Sequence, residues 1–416
     1  MKSVFKIEIF TLIIFFIFSL YGYAHIYENL YINEYSFNEL FINYQAGFVR
    51  RGLLGEIFWH INLHNNVNPR VFFGYLFYFL YIIKILLLYL ILKKNVNNKL
   101  FYIFIFFSPA LILFSIYDPK VYFVKDILSK ITIIFHAYLF LFYDHKKYLG
   151  YLKFLLIPIL AISILIHEYQ VLFLGVHLLF SILKLNKFLK LGSIIKIYSF
   201  LILPILFVFI FIGNSEIYLE LNKILNKFNV TIHDQLDGGF YKALGGFYKW
   251  HFFYFSYNDF INLFLSLIFS LFIPVMIYGN FLNKKIININ GFFRWGYLFF
   301  FVPTLICFIL ALDHGRNISL VATHLIIYYV ILKFNKAKLK ILEKEIYNNI
   351  NKFTLLILFL FFYLFLWKLD QGAGFAFQGK EVTIFKSSLF AEFIKLIKLF
   401  YFYIDLYLID LPEINL

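Results

Sequence analysis

Residues 70–92 of the chain read RVFFGYLFYFLYIIKILLLYLIL, an apolar run interrupted only by Lys84. A helix needs about 20 such residues to cross the hydrocarbon core of a bilayer. Comparable runs recur along the sequence, and we predict eleven membrane spans: 5–24, 70–92, 100–117, 126–143, 154–167, 169–184, 194–213, 259–281, 296–312, 317–333 and 353–369. A β-barrel would instead show short alternating segments. The pattern therefore predicts an all-α, polytopic transmembrane helix bundle.

The composition agrees with a membrane protein. Of the 416 residues, 62% are hydrophobic and only 15% are charged, whereas soluble domains carry about 25% charged residues. This balance excludes a soluble enzyme, a disordered chain and a disulfide scaffold, and the single cysteine, Cys307, excludes an intrachain disulfide. We find no soluble domain and no internal repeat, so residues 1–416 are predicted to form one integral membrane domain.

The lysines predict how the chain sits in the membrane. Every second loop is basic, and these loops should face the cytoplasm; their lysines include Lys93, Lys94, Lys99, Lys146, Lys147, Lys153, Lys184, Lys187, Lys190, Lys284 and Lys285. The run at 5–24 is long for a signal peptide and has no clear cleavage site, so we predict a retained signal anchor with a cytoplasmic N-terminus. The dispersed lysines explain most of the +15 net charge and disfavour nucleic-acid binding.

Three longer segments are predicted on the opposite, outer side. They are a first loop at 25–69, a large loop at 214–258 and a C-terminal segment at 370–416. Within the last, residues 387–406 are amphipathic and predict an interfacial helix, with a twelfth span as the alternative.

The arginines are scarce and therefore informative. The chain has 33 lysines but only five arginines, which are Arg50, Arg51, Arg70, Arg294 and Arg316. Where lysine serves most basic positions, the remaining arginines are candidates for sites that need a planar, bidentate donor.

The first outer loop contains the stretch Gly47–Glu56, which reads GFVRRGLLGE. Apolar residues at helical spacing follow it and predict an amphipathic helix at the membrane interface. Its glycines permit close backbone approach, and Arg50 and Arg51 at the helix start would form an anion-binding site. The alternative is a surface helix whose arginines contact lipid head groups.

Two tight outer turns carry candidate catalytic groups. In Asp313-His314-Gly315-Arg316, Arg316 could clamp an anion, His314 could accept a proton and Asp313 could orient either; the alternative is a polar helix cap. In His167-Glu168, the flanking spans are short, so the turn is expected inside a cavity, where burial of the carboxyl group would suit Glu168 to acid–base catalysis. The alternative there is a structural ion pair.

Two further groups of charged residues are candidate substrate contacts. Lys120 and Lys125 could meet phosphate beside Asp118 and Asp126, although a solvated turn would explain these residues equally well. In the large loop, Asp234 and Asp237 lie near aromatic residues, a combination that suits sugar binding. The spacing of these aspartates is only a weak metal signal and no Cys/His metal motif occurs, so no cofactor is predicted. Lys84 is expected to pair inside the bundle or to snorkel towards water.

The Gly47–Leu53 motif, together with His167-Glu168 and Asp313–Arg316, resembles uncharacterised polytopic proteins of bacterial surface-polysaccharide loci. More broadly, the span layout resembles the GT-C superfamily and the Wzy-type O-antigen or capsule polymerases. That resemblance implies a GT-C-like fold and a glycosyltransferase of the bacterial cytoplasmic membrane that uses polyprenyl-phosphate or polyprenyl-pyrophosphate sugar donors on the outer leaflet. This chain lacks the Asp-x-Asp or paired Glu found in many GT-C enzymes after the first span, which favours an arginine-based mechanism over a metal-dependent one.

These observations predict a polymerase whose partners are a polyprenyl-linked glycan, the lipid bilayer and other polysaccharide-assembly proteins. A flippase of the same lipid-linked oligosaccharides is the second hypothesis, and a non-catalytic assembly partner is the third. A transporter needs polar residues along its whole path, whereas here they are expected to crowd at the outer end, with Lys84 as the main exception. A shared site requires Arg50, Arg51, Arg316 and Glu168 to lie close together.

Overall fold

A computed structural model describes residues 37–65, 67–95, 108, 110–111, 114, 124–211, 215–228, 230, 264–268, 270 and 314–335. Within these residues the protein is helical and contains no β-strand. The helices are α1 (Leu53–Asn65), α2 (Pro69–Asn95), α3 (Asp126–Phe142), α4 (His145–Ile166), α5 (Glu168–Leu185), α6 (Leu191–Ile210), α7 (Ser215–Leu225) and α8 (His314–Asn335).

Four of these helices are long and apolar enough to cross a membrane. They are α4, α5, α6 and the Val71–Lys93 part of α2. Their outward faces carry large apolar side chains, and Phe154 and Leu203 are 83% and 77% exposed. Such exposure is unfavourable in water but favourable against lipid. Six of the eleven predicted spans coincide with α2–α6 and α8, and the other five lie wholly or mostly outside the described residues.

The span predicted at 154–167 is wrong at its start, because α4 begins at His145 and is 22 residues long. The Asp144 side chain caps this helix by accepting a hydrogen bond of 2.8 Å from the Lys147 backbone N–H. The helix start is thus determined by a cap and not by the onset of the apolar run. Helix α5 has 18 residues, so the premise that short spans place the His167-Glu168 turn below the membrane surface is also wrong.

Helix α3 is the centre of the described bundle. It packs against α2, α4, α5 and α8, and twelve of its seventeen residues are buried. The buried set includes polar side chains along its length, namely Ser129, Lys130, Thr132 and His136. The expectation that polar residues crowd at the outer end is therefore wrong for this helix.

A hydrogen-bonded network joins α3 to α4 and α5. Thr132 donates its hydroxyl proton to the Ser129 carbonyl oxygen at 2.9 Å, and its Oγ1 lies 3.4 Å from Gln170 Oε1. The Gln170 amide nitrogen lies 3.3 Å from His177 Nε2, and His177 Nδ1 lies 2.9 Å from His136 Nδ1, so one of these two Nδ1 atoms carries the proton that joins the rings. His136 Nε2 lies 2.5 Å from the Tyr148 hydroxyl.

The same network closes on the backbone. The Tyr148 hydroxyl lies 3.0 Å from Ser181 Oγ, which lies 2.8 Å from the Tyr198 hydroxyl. Tyr198 then donates to the His177 carbonyl oxygen at 2.8 Å. The network thus ends on a backbone acceptor, and its hydrogen bonds connect the helices and stabilise their packing.

The described part of the predicted first outer loop, from residue 37 onwards, folds tightly onto α1. Glu56 accepts hydrogen bonds from the Tyr44 backbone N–H at 2.8 Å and from Gln45 Nε2 at 2.7 Å. Burial, with a contribution from Glu56, raises the pKa of Tyr44 to about 12. Gly47 has a φ of 129°, and a Cβ atom at Gly55 would overlap the Ile42 carbonyl oxygen. The predicted close backbone approach is confirmed.

Replacing Gly55 by alanine should therefore lower the thermal unfolding midpoint in detergent, because the loop backbone would have to move away from α1. The matched control is Gly150→Ala in α4, where no atom lies within 4 Å of the new methyl group. Alanine is favoured over glycine in a helix by about 1 kcal/mol, so this control should match or exceed the parent midpoint. A Gly55→Ala protein as stable as its parent would show that the contact is unimportant.

Candidate functional site

Charged side chains converge where α3, α5 and α8 begin and where the first outer loop enters α1. We call this group the charged cluster; its members are Glu39, Arg50, Arg51, Lys125, Asp126, His167, Glu168 and Arg316. Three helices therefore begin at this end of the bundle, where the helix dipole favours negative charge. The sequence prediction that Arg50, Arg51, Arg316 and Glu168 lie close together agrees with this geometry.

Arg51 forms the central ion pair of the cluster. Its Nε lies 3.0 and 2.9 Å from the two oxygens of Glu168, and its Nη2 lies 2.5 Å from Oε1. Its Nη1 also donates to Glu39 Oε1 at 3.2 Å. Burial alone would lower the pKa of Arg51, but the two carboxylates hold that pKa above its usual value. The guanidinium thus uses its planar fork, as the scarcity of arginine predicted, but with protein carboxylates as partners.

Lys125 holds the loop backbone around Arg51. Its Nζ donates to the carbonyl oxygens of Glu39 at 2.9 Å and of Arg51 at 3.2 Å. Arg51 needs this support because its φ is 65°, in the left-handed region that non-glycine residues rarely adopt. Burial lowers the pKa of Lys125 to about 8, partly offset by Glu39. Lys125 thus positions Arg51, and its predicted phosphate contact stays a prediction.

A second, more enclosed ion pair joins α3 to α8. Asp126 Oδ2 lies 2.7 Å from Arg316 Nε, and Asp126 Oδ1 lies 3.2 Å from His167 Nε2. The Arg316 guanidinium also lies over the Tyr169 ring, 5.6 Å from its centroid. Asp126 was predicted as a substrate contact, but its carboxylate here faces Arg316 and His167.

His167 is bound on both ring nitrogens. Its Nδ1 accepts the Tyr169 backbone N–H at 3.2 Å, so the neutral ring carries its proton on Nε2, towards Asp126. Burial lowers the pKa of His167; Glu168 opposes this shift, and Arg51 and Arg316 each lower the pKa by a smaller amount. In this arrangement no lone pair of the His167 ring is free to accept a proton, and its catalytic role stays a prediction. His167 caps the helical turn that begins at Glu168.

Glu168 differs from its predicted state. A buried carboxyl group was expected to favour its neutral form, yet Glu168 faces the Arg51 fork and lies 3.6 Å from Arg50 Nη1. Two guanidinium groups stabilise the carboxylate ion. The alternative of an ion pair describes the observed contacts, and any acid–base role requires Glu168 to leave Arg51.

Arg50 is held less completely than Arg51. Besides Glu168, it contacts the phenol of Tyr218 from α7, whose pKa is raised by burial and lowered in part by Arg50. Its Nε is buried and has no hydrogen-bond partner among the described residues. Sequence reasoning missed Tyr218 and Glu39; the alternation of apolar and charged residues over 215–225 could have indicated a packed helix, whereas no local pattern distinguishes Glu39.

Comparisons with protein-family models, with curated proteins and with solved structures find no match to this chain. The charged cluster is therefore the feature of the chain that bears on its function. Its described members comprise four basic side chains and three carboxylates, with His167 neutral. Among the described residues, no three His, Cys, Asp or Glu side chains are grouped closely enough to bind a metal ion.

Several predicted site residues do not belong to the part of the chain that the structure describes. Asp118, Lys120, Asp234, Asp237 and Asp313 lie outside the described residues, as do the C-terminal segment 370–416 and most of the 214–258 loop. His314 is the first residue of α8, and only its backbone is described.

Lys84 lies inside the bundle. Its side chain is buried, and its Nζ has no hydrogen-bond partner in the part of the chain that the structure describes. It borders a cavity of about 10 Å³ between α2, α3 and α8, which is space for one water molecule. Within these residues Lys84 neither snorkels nor forms the predicted pair.

The neutral state of His167 predicts a pH dependence of stability. Its pKa is below the usual 6.5 in the folded protein, so the unfolded chain binds more protons as pH falls through about 6.5, and the free energy of unfolding should decrease. His167→Gln should weaken this decrease, which can be measured as thermal unfolding midpoints between about pH 5 and about pH 8. His60→Gln, which changes an exposed histidine, is the matched control. Parallel pH profiles for the parent and His167→Gln would contradict the assignment.

Proposed function

We propose that the chain is a membrane glycosyltransferase of surface-polysaccharide assembly, a polymerase that uses polyprenyl-(pyro)phosphate-linked sugar donors. The observation that carries this proposal is the convergence of three of the five arginines, Arg50, Arg51 and Arg316, on one end of the helices. Guanidinium forks match the paired oxygens of a diphosphate, and basic side chains outnumber carboxylates among the described members of the cluster.

The chemistry of such a transfer needs two kinds of group. As the bond between the sugar and the diphosphate breaks, negative charge develops on the leaving diphosphate, and preorganised cations stabilise it. Arg50, Arg51 and Arg316 would supply these cations. The acceptor hydroxyl must lose its proton as it attacks, and Glu168 would accept that proton, with His314 as the alternative base.

The charged cluster lies at the helix ends opposite the basic loops. Lys93 is close to the end of α2 and Lys184 to the end of α5, whereas the cluster lies at the beginnings of α3, α5 and α8. Lysine-rich ends are typically cytoplasmic. We therefore propose a location in the bacterial cytoplasmic membrane, with a site that faces the exterior and with a polyprenyl chain bound in the lipid-facing grooves between helices.

The buried polar side chains of α3 favour a second candidate. Lys130, Thr132 and His136 lie deep in the bundle, as a flippase of lipid-linked oligosaccharides would require. Thr132 and His136 are engaged in the closed network described above, and Lys130 Nζ donates to Ser319 at 2.7 Å, so these contacts would have to open during transport. For this reason we rank the flippase second and a non-catalytic assembly partner third.

Purified protein in vesicles with a lipid-linked repeat unit tests the proposal directly. Parent protein should elongate the glycan, and Arg51→Lys should reduce elongation by about 10²-fold, the typical effect of losing one donor to a developing anion. Arg50→Lys and Arg316→Lys should also lose long chains, whereas Lys187→Arg, an exposed change between α5 and α6, should not.

The outcomes separate the candidates. Normal chain length in any folded Arg→Lys variant would remove that arginine from the mechanism. Translocation of the lipid-linked unit without elongation would instead support the flippase, and neither activity would support the assembly partner.

A further inference from the structure

The arginines assigned to the donor diphosphate are already occupied. Glu168 takes two N–H positions of Arg51 and lies 3.6 Å from Arg50. An anionic substrate can bind the same fork only if this carboxylate moves, because two anions cannot share one bidentate face. Binding of a diphosphate by these arginines therefore requires Glu168 to leave the Arg51 guanidinium.

Glu168 cannot accept hydrogen bonds from all the N–H groups of the Arg50 and Arg51 guanidinium groups. Two arginines present about ten N–H donors, whereas one carboxylate offers two oxygens. Arg50 shows the shortage, because its buried Nε has no partner among the described residues. A diphosphate has more oxygens and more charge than a carboxylate, so it would serve Arg50 and Arg51 together better than Glu168 does.

The carboxylates of the two ion pairs differ in accessibility. The Glu168 side chain is 14% exposed and that of Asp126 is 4% exposed, whereas their partners Arg51 and Arg316 are equally exposed, at 11%. Glu168 also begins the 3-10 turn Glu168–Phe173, whose hydrogen bonds are weaker than those of an α-helix. The Arg51–Glu168 pair is therefore the one that a ligand can reach and the one whose carboxylate can be displaced.

We propose that Glu168 is an internal substitute for the substrate's diphosphate, and that lipid diphosphate binding displaces it from Arg50 and Arg51. The displaced carboxylate then lies beside the bound donor, where it can accept the proton of the acceptor hydroxyl. Until substrate arrives, the pair keeps the base inactive and the arginines neutralised. This inference rests on the proposed function, since it assumes that the two arginines bind a diphosphate.

Binding of farnesyl diphosphate and of inorganic pyrophosphate to the full-length protein in detergent tests the exchange. An internal competitor lowers apparent affinity by the fraction of sites that it occupies, so Glu168→Gln should bind farnesyl diphosphate at least about tenfold more tightly than the parent. Glu168→Asp keeps the charge but shortens the reach, and it should bind about threefold more tightly. Stronger binding of farnesyl diphosphate than of pyrophosphate would identify a lipid-linked source, and equal binding a free one.

Glu39→Gln is the matched control, because it removes the same charge from the same guanidinium but only one contact, at 3.2 Å. Nearly equal gains in Glu39→Gln and Glu168→Gln would show a simple charge effect and overturn the exchange. Unchanged or weaker binding in folded Glu168 variants would also overturn it, as would loss of the folded protein in both, because a carboxylate required for folding cannot leave. If neither the parent nor Glu168→Gln binds either probe, the proposed function fails, because the arginines then bind no diphosphate even when the carboxylate charge is removed.

Discussion

The ion pair between Arg51 and Glu168 links two parts of the chain that are 117 residues apart, and the rest of the charged cluster is arranged around it. Removing two such ions from water costs several kcal/mol each, and only close geometry with additional hydrogen bonds offsets that cost. Glu39 and Lys125 provide these bonds, the first to the guanidinium and the second to the backbone carbonyls. The first outer loop is consequently fixed to the starts of α3 and α5.

Much of the fold follows from hydropathy alone. The apolar runs predicted α2, α3, α5, α6 and α8 to within a few residues. The start of α4 was missed because the Asp144 cap and the lysines after it determine that boundary, and a hydropathy pattern does not register either. The network around His136 and His177 was also unpredictable, since its contacts join side chains of different helices and depend on how those helices pack.

The sequence indicated which residues belong to the candidate site, but not which of them form ion pairs with each other. Arginine scarcity pointed to Arg50, Arg51 and Arg316, and the outer turns pointed to His167 and Glu168. Which carboxylate faces which guanidinium depends on how the helices pack, and the sequence does not encode this locally. The contact in which the His167 ring accepts the backbone N–H of Tyr169 was likewise not predicted.

The charge balance of the charged cluster is relevant to why these ions are buried despite the free-energy cost of removing them from water. A buried ion pair is weak support for stability, because apolar side chains of similar size often stabilise a core as well or better. A purely structural cluster would also be expected to match its charges, yet its described members include four basic groups and three carboxylates, and the buried Nε of Arg50 has no partner among the described residues. The proposed function requires cationic donors in a partly accessible position. Under that proposal the cost of burying these charges is preorganisation, because cations already fixed in place need not rearrange when a diphosphate develops charge beside them.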